Sequence, residues 1–257
     1  NNRWKDLADI LGRQLTIVGP DEDKDGHAEL KYRLGQVKET HLSDVTGAID
    51  AYRDILDVVP SHERGRKALE LHLADGDAQQ LTVAGILEPI YEQLGEWGPL
   101  VGVHEIQLAA EKDQLRKTSL LLRIGELQRT KLLDAAKAFD AYARAFRGDP
   151  STEAAKDQLE ALAPLIDDGW TKLVQLYEAG LENKGSGHGP EIVLDQRLAH
   201  ELATKVARSY EDRLNKSDKA VEFFRRALAI EQDDLNALAA LESIFTRDEK
   251  FPELLEV

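Results

Sequence analysis

Neither cysteine nor methionine occurs in this chain of 257 residues. Without cysteine, disulfides, thiolate zinc sites and cysteine nucleophiles are excluded, although the lack of thiols does not reveal the compartment. No run of eighteen apolar residues exists, so no segment reads as a membrane span. Residues 1–20 lack the charged start and apolar core of a signal peptide. A cytoplasmic location is therefore expected, with the periplasm as the alternative. Positive charge is scarce: 33 basic residues face 48 acidic ones, a net charge of −15. Such a chain repels nucleic acid phosphates and anionic membrane surfaces. What is present is ordinary for a folded protein, with 42% hydrophobic residues and 18 glycines, which excludes intrinsic disorder. The start at Asn1-Asn2 and the lack of methionine read as a processed protein or a piece of a longer one.

The length falls awkwardly between one domain and two, and internal repetition explains it. Trp4, Trp97, Trp170 and Phe251 each open an aromatic, two residues, leucine pattern, completed by Leu7, Leu100, Leu173 and Leu254. They recur every 70 to 95 residues or so, about two 34-residue helical hairpins with loops. Between these markers, one constant shift for each copy aligns Leu34, Ile124 and Val206 without a gap. The same shifts align Gly35 with Gly125 and Ala207, Ala48 with Ala138 and Ala220, and Tyr52 with Tyr142 and Phe224. Leu69-Glu70, Leu159-Glu160 and Leu241-Glu242 close the register. Extra residues fall between Leu69 and Trp97 and before Val206, and are expected to lie in connections.

Each segment reads as helix. Val45, Ala48, Ile49, Tyr52, Ile55, Leu56 and Val59 keep the three-four apolar spacing. Pro60 ends that run, with Ser61 as the expected cap of the next helix. Asp134 and Asp149-Pro150 frame the equivalent helix of the second copy. No stretch shows sustained alternation of period two. The expected fold is all-α, with about fourteen helices in a solenoid. It forms one repeat domain of three units, at about 4–96, 97–169 and 170–250. Small residues at 35, 125 and 207 should let helices approach closely. The Tyr52, Tyr142 and Phe224 column should fill space between neighbouring hairpins, and Trp97 and Trp170 should plug the gaps there.

These columns resemble the tetratricopeptide repeat. Leu87-Glu88-Pro89-Ile90-Tyr91, then Gly95, Trp97 and Leu100, are similar to its first helix, turn and second-helix start. Leu34-Gly35, Ala48, Tyr52, Ile55 and Pro60 resemble its large, small, small, aromatic, small and proline positions. Ile55 is larger than the pattern and Gln232 replaces the proline. The helices opening at Trp4, Trp97 and Trp170 also resemble the half-repeats of RNA-processing scaffolds. The resemblance implies a right-handed superhelix of hairpins that binds a protein or extended peptide on its concave face. RNA association by a half-repeat scaffold is the alternative, opposed by the sign of the charge. No catalysis and no cofactor are expected.

Candidate sites are few. Asp21, Asp23, Asp25 and Gly26 spell the first half of a calcium loop, but Tyr32 stands where its bidentate glutamate belongs. An acidic linker between helices is the competing reading. Lys184-Gly185-Ser186-Gly187-His188-Gly189-Pro190 lacks a preceding strand and reads as a connection. His200-Glu201 begins a metalloprotease helix, yet Thr204 replaces the second histidine. The column Arg33, Arg123 and Lys205 remains, one residue before each large-small pair. By the resemblance this position lines the groove, where a row of cations could capture partner carboxylates. The chaperone-tail clamp of the family is not reproduced, because its lysine and asparagine positions hold Tyr32 and Gln36, Leu122 and Glu126, or Thr204 and Arg208. Trp4 and Phe251 each read as opening a second helix, so further repeats on both sides are expected, or end-to-end stacking of two copies.

Overall fold

A computed structural model describes residues 2–74, 76–182 and 195–254. It divides into two compact units, Asn1–Asp113 and Gln114–Val257. The first holds α1 (Asn2–Ile17), α2 (Lys24–Leu42), α3 (Val45–Val58), α4 (Glu63–Glu70), α5 (Gln80–Leu94) and α6 (Trp97–Ala110). The second holds α7 (Gln114–Thr130), α8 (Ala135–Gly148), α9 (Glu153–Leu162) and α10 (Gly169–Leu181). It continues through α11 (Gln196–Asp212), α12 (Ser217–Ile230), α13 (Leu235–Arg247) and the short α14 (Phe251–Leu254). No strand occurs among the described residues. The all-α expectation holds, and sequential helices pack on one another in each unit.

The hairpins α2/α3, α7/α8 and α11/α12 are the three aligned copies, and one turn closes all of them. Ser43, Leu133 and Asn215 sit at φ 56°, 55° and 52°, in the left-handed region. The amide of the next residue then donates to the carbonyl six residues back. Asp44 donates to Lys38 at 2.9 Å, Asp134 to Gln128 at 2.9 Å, and Lys216 to Tyr210 at 2.8 Å. This left-handed ending, one residue wider than a Schellman turn, satisfies carbonyls that the helix leaves orphaned. Asp44 and Asp134 then cap the second helix through their carboxylates, accepting from Gly47 and Lys137. Lys216 occupies the same place and supplies no side-chain cap.

Inside the hairpin the small column earns its place sterically. A methyl group on Gly35 would lie 2.4 Å from the Tyr52 ring, and one on Gly125 2.7 Å from the Tyr142 ring. The expectation that the aromatic column fills space between hairpins is thus corrected: these rings occupy the room the glycines vacate within their own hairpin. The Tyr52 hydroxyl donates to Glu39 at 2.9 Å, so the buried phenol keeps its polar end satisfied. Ala207 and Phe224 are the buried equivalents in the third copy.

Other local expectations need correction. Most of the extra length between Leu69 and Trp97 is not a loop, because fifteen of those residues form α5. Its Val83, Leu87, Ile90 and Tyr91 make a buried stripe, and burial of such a stripe outweighs the cost of ordering it. Gly95, at φ 71°, turns the chain into α6, as the resemblance at 87–100 implies. Asp168 and Glu249 take the same backbone conformation two residues before Trp170 and Phe251. The cap of α4 is His62, whose Nδ1 accepts from the Gly65 amide at 3.0 Å, and not Ser61. Trp97 and Trp170, expected to plug gaps between hairpins, are both partly exposed. Trp4 is 39% exposed and stacks flat on His41 at 3.6 Å. Trp170 is partly exposed beneath the Arg213 guanidinium at 5.1 Å.

Candidate partner-binding surface

The cation column stands on the first helix of each hairpin, and each member meets a carboxylate. Arg33 on α2 donates from Nε to Glu29, one turn earlier, at 2.9 Å. Arg64 of α4 also binds Glu29 and stacks on the Tyr32 ring at 4.8 Å. Burial pushes the Glu29 carboxyl up, but the hydrogen bonds from Arg33 and Arg64 hold it below its ordinary value. Tyr32, Arg33, Arg64 and Gln36, whose amide donates to the Tyr32 hydroxyl at 3.1 Å, form one polar and aromatic surface of the first unit. Arg123 on α7 donates to Glu126, also on its own helix, at 2.9 Å.

Lys205 is held differently. Its ammonium reaches from α11 to Glu160 on α9 at 2.6 Å, and Glu160 also accepts the Tyr177 hydroxyl at 3.2 Å. One turn away on each helix a second bridge runs the other way, from Lys156 on α9 to Glu201 on α11 at 2.7 Å. The Lys156 side chain is fully inaccessible to solvent and also meets Glu153 at 3.0 Å. Burial alone would lower its pKa, whereas Glu201 and Glu153 keep it above the usual lysine value. Two crossed ion pairs therefore brace α9 against α11, with the Lys205 end the more exposed. The exposed pairs at Arg33 and Arg123 are local to one helix face, where such bridges contribute little.

The remaining candidates are absorbed by the fold. Asp23 is the N-cap of α2, accepting from Gly26 at 2.9 Å, and the chain is helical from Lys24 onward. A twelve-residue loop running to Tyr32 does not exist, so Asp21, Asp23 and Asp25 sit in an acidic linker that starts a helix. Groups of three metal-binding side chains are absent among the described residues. His200 bonds Asp234 at 3.0 Å, and Glu201 serves Lys156, which explains both residues without a metal. The glycine-rich stretch at 184–190 lies outside the described residues.

No sequence signal marked Arg64, or Glu160 as the acceptor for Lys205. The Leu-Glu column did mark Glu70 and Glu160 as recurrent, and both accept a tyrosine hydroxyl, from Tyr91 at 2.9 Å and from Tyr177. Residues 204–238, which span the end of α11, all of α12 and the start of α13, match the family model of the tetratricopeptide repeat. A comparison with curated proteins returns no match. With the all-helical hairpins, the match makes this chain a tetratricopeptide-like repeat protein.

Proposed function

From that repeat architecture, we propose that the chain is a non-catalytic scaffold that binds a partner protein or extended peptide. Tetratricopeptide repeats generally serve protein interaction, and here the first helices of the hairpins supply the contacts. The observation that carries this reading is the recurrence of Arg33, Arg123 and Lys205 at one position of three first helices. Arg33 and Arg123 each pair with an acid of their own helix on exposed surface. Exchanging such a pair for a partner carboxylate costs little, because the guanidinium keeps a charge-assisted bond throughout. Lys205 contributes to a partner at the expense of its bridge to Glu160, so it is the weaker contributor.

The test compares the wild type with an Arg33→Ala, Arg123→Ala, Lys205→Ala chain. Both serve as bait in the native host's lysate, and the captured protein is then purified and titrated against each. Loss of three charge-assisted contacts of about 1 kcal/mol each weakens binding by roughly a hundredfold. A Glu160→Gln chain breaks the brace while keeping the cation, which separates loss of recognition from loss of stability. Unchanged affinity in the triple variant removes the cation column from the interaction.

A further inference from the structure

One corner of the candidate surface already holds a carboxylate. Glu29 lies between Arg33 of its own helix and Arg64 of α4, with one carboxylate oxygen on each guanidinium. Both arginines are more than half exposed, at 62% and 57%. Four other glutamates, Glu39, Glu70, Glu160 and Glu178, each accept the hydroxyl of a buried tyrosine. Glu29 serves no such group: among the described residues its oxygens accept from the two arginines alone. Its removal would leave no buried polar atom unpaired, and exposed bridges of this kind contribute little to folding.

The two bridges are also incomplete. Arg33 donates from Nε and Arg64 from Nη2, one nitrogen each, although a guanidinium can meet a carboxylate through two parallel N–H groups. The terminal nitrogens of Arg33 have no partner among the described residues. Tyr32 accepts from Gln36 and donates its hydroxyl to no described residue. Its ring also carries the Arg64 guanidinium at 4.8 Å, which orients the plane that Arg64 presents. The open valences of the cluster are thus donors, which suit an oxyanion. Asp25, one turn before Glu29, and Glu63, paired with Lys67, stand nearby. They bear alike on Glu29 and on any carboxylate in its place, so they favour neither.

We propose that Arg33 and Arg64 form a carboxylate site in which Glu29 is a built-in competitor, displaced by a carboxylate of the partner. The partner rests on the scaffold reading, whereas the site depends on neither Arg123 nor Lys205. Its ligand class is the one it holds in the folded chain. A partner carboxylate can engage a guanidinium through two N–H groups and so gains over Glu29, which reaches each through one. Glu29 sets a threshold, because a free carboxylate must outcompete a tethered one.

The probe is propionate, the glutamate side chain without its backbone, titrated into the ¹⁵N-labelled full chain. Amide signals at residues 29–36 and 62–67 and the Nε–H signals of Arg33 and Arg64 report binding. Uncharged propionamide is the control. In a Glu29→Ala chain, propionate should bind with a Kd at least about tenfold below that of the wild type, since the tethered competitor is gone. Adding Arg64→Ala should abolish that gain, while Arg123→Ala with Lys205→Ala should leave it intact. Alanine suits the middle of α2, so the melting curve of Glu29→Ala should stay close to that of the wild type. Equal affinity in the wild type and Glu29→Ala, a gain that survives Arg64→Ala or vanishes with Arg123→Ala and Lys205→Ala, or equal binding of propionamide overturns the proposal. So does inorganic phosphate that binds more tightly than propionate. A steep loss of stability in Glu29→Ala also overturns it, because Glu29 would then be a tie of the fold between α2 and α4. No partner enters this titration, so its failure is distinct from that of the scaffold reading, which falls when a captured partner ignores the triple variant.

Discussion

The second and third hairpins of the repeat share a backbone but divide its duties differently. Both close with a left-handed residue and a six-residue carbonyl return. In the second, Gly125 makes room for Tyr142, Asp134 caps α8, Lys156 is sealed between acids, and Leu133 faces solvent. In the third the same columns hold Ala207, Phe224, Lys216, Leu238 and Asn215. The comparison teaches that helix phase and turn geometry are set by a few size and conformation rules. Ionic and apolar detail is free to vary within them, and that detail is where specificity resides.

Swapping residues between the two copies tests this division. The largest effect belongs to Lys156. Lys156→Ala leaves Glu201 facing a cavity without its cation and should cost about 3 kcal/mol in denaturant unfolding. Lys156→Leu installs the residue of the third copy and refills the space while leaving Glu201 equally unpaired, so it should cost about 1 kcal/mol less than Lys156→Ala. Equal losses in the two variants would show that the bridge itself, and not the filled space, carries the stability.

Next is the small column. Gly125→Ala drives a methyl group into the Tyr142 ring and should destabilise by about 2 kcal/mol, through overpacking that helix propensity only partly offsets. Ala207→Gly in the third copy removes no such clash and should cost only about 1 kcal/mol, from backbone entropy. If Gly125→Ala stabilises the chain, the close approach is not a constraint.

The smallest effect concerns the caps. Lys216→Asp gives α12 the cap that Asp134 gives α8, and should add about 0.5–1 kcal/mol at neutral pH. The amide and ammonium of Lys137 hold the Asp134 carboxyl below its ordinary value. A carboxyl lowered in the folded state stabilises above its unfolded pKa, about 3.9, and loses that contribution as pH falls through the folded value. Thermal melts should therefore show the Lys216→Asp gain at pH 7 fading below about pH 4. An Asp134→Asn chain should have a shallower acid limb than the wild type, since asparagine caps without titrating.

How much of this was legible in the sequence depended on the range of the interaction. Local signals read well: the three-four apolar stripe of α3, the Asp134 cap, the Gly95 turn, and the register of Gly35, Gly125 and Ala207. Position 133 was silent, because its conformation is fixed by the turn while its identity changes from serine to leucine to asparagine. The Leu87–Tyr91 part of α5 was legible in the resemblance, whereas its start at Gln80 was hidden inside a length difference. The partners of the cations were illegible for a different reason. Lys156 to Glu201 and Lys205 to Glu160 each join residues 45 positions apart, and helix periodicity says which face a residue occupies but not which face it meets. His62 replaced Ser61 as a cap because one residue of turn geometry separates the two, within the ordinary uncertainty of a helix start.

The most direct test of the chain as a binding scaffold is calorimetric titration of its captured partner. The wild type is compared with the Arg33→Ala, Arg123→Ala, Lys205→Ala chain, and Glu160→Gln corrects for the brace. An affinity reduced by roughly a hundredfold, with Glu160→Gln close to the wild type, is the result this account predicts. Equal affinity in the wild type and the triple variant would contradict it.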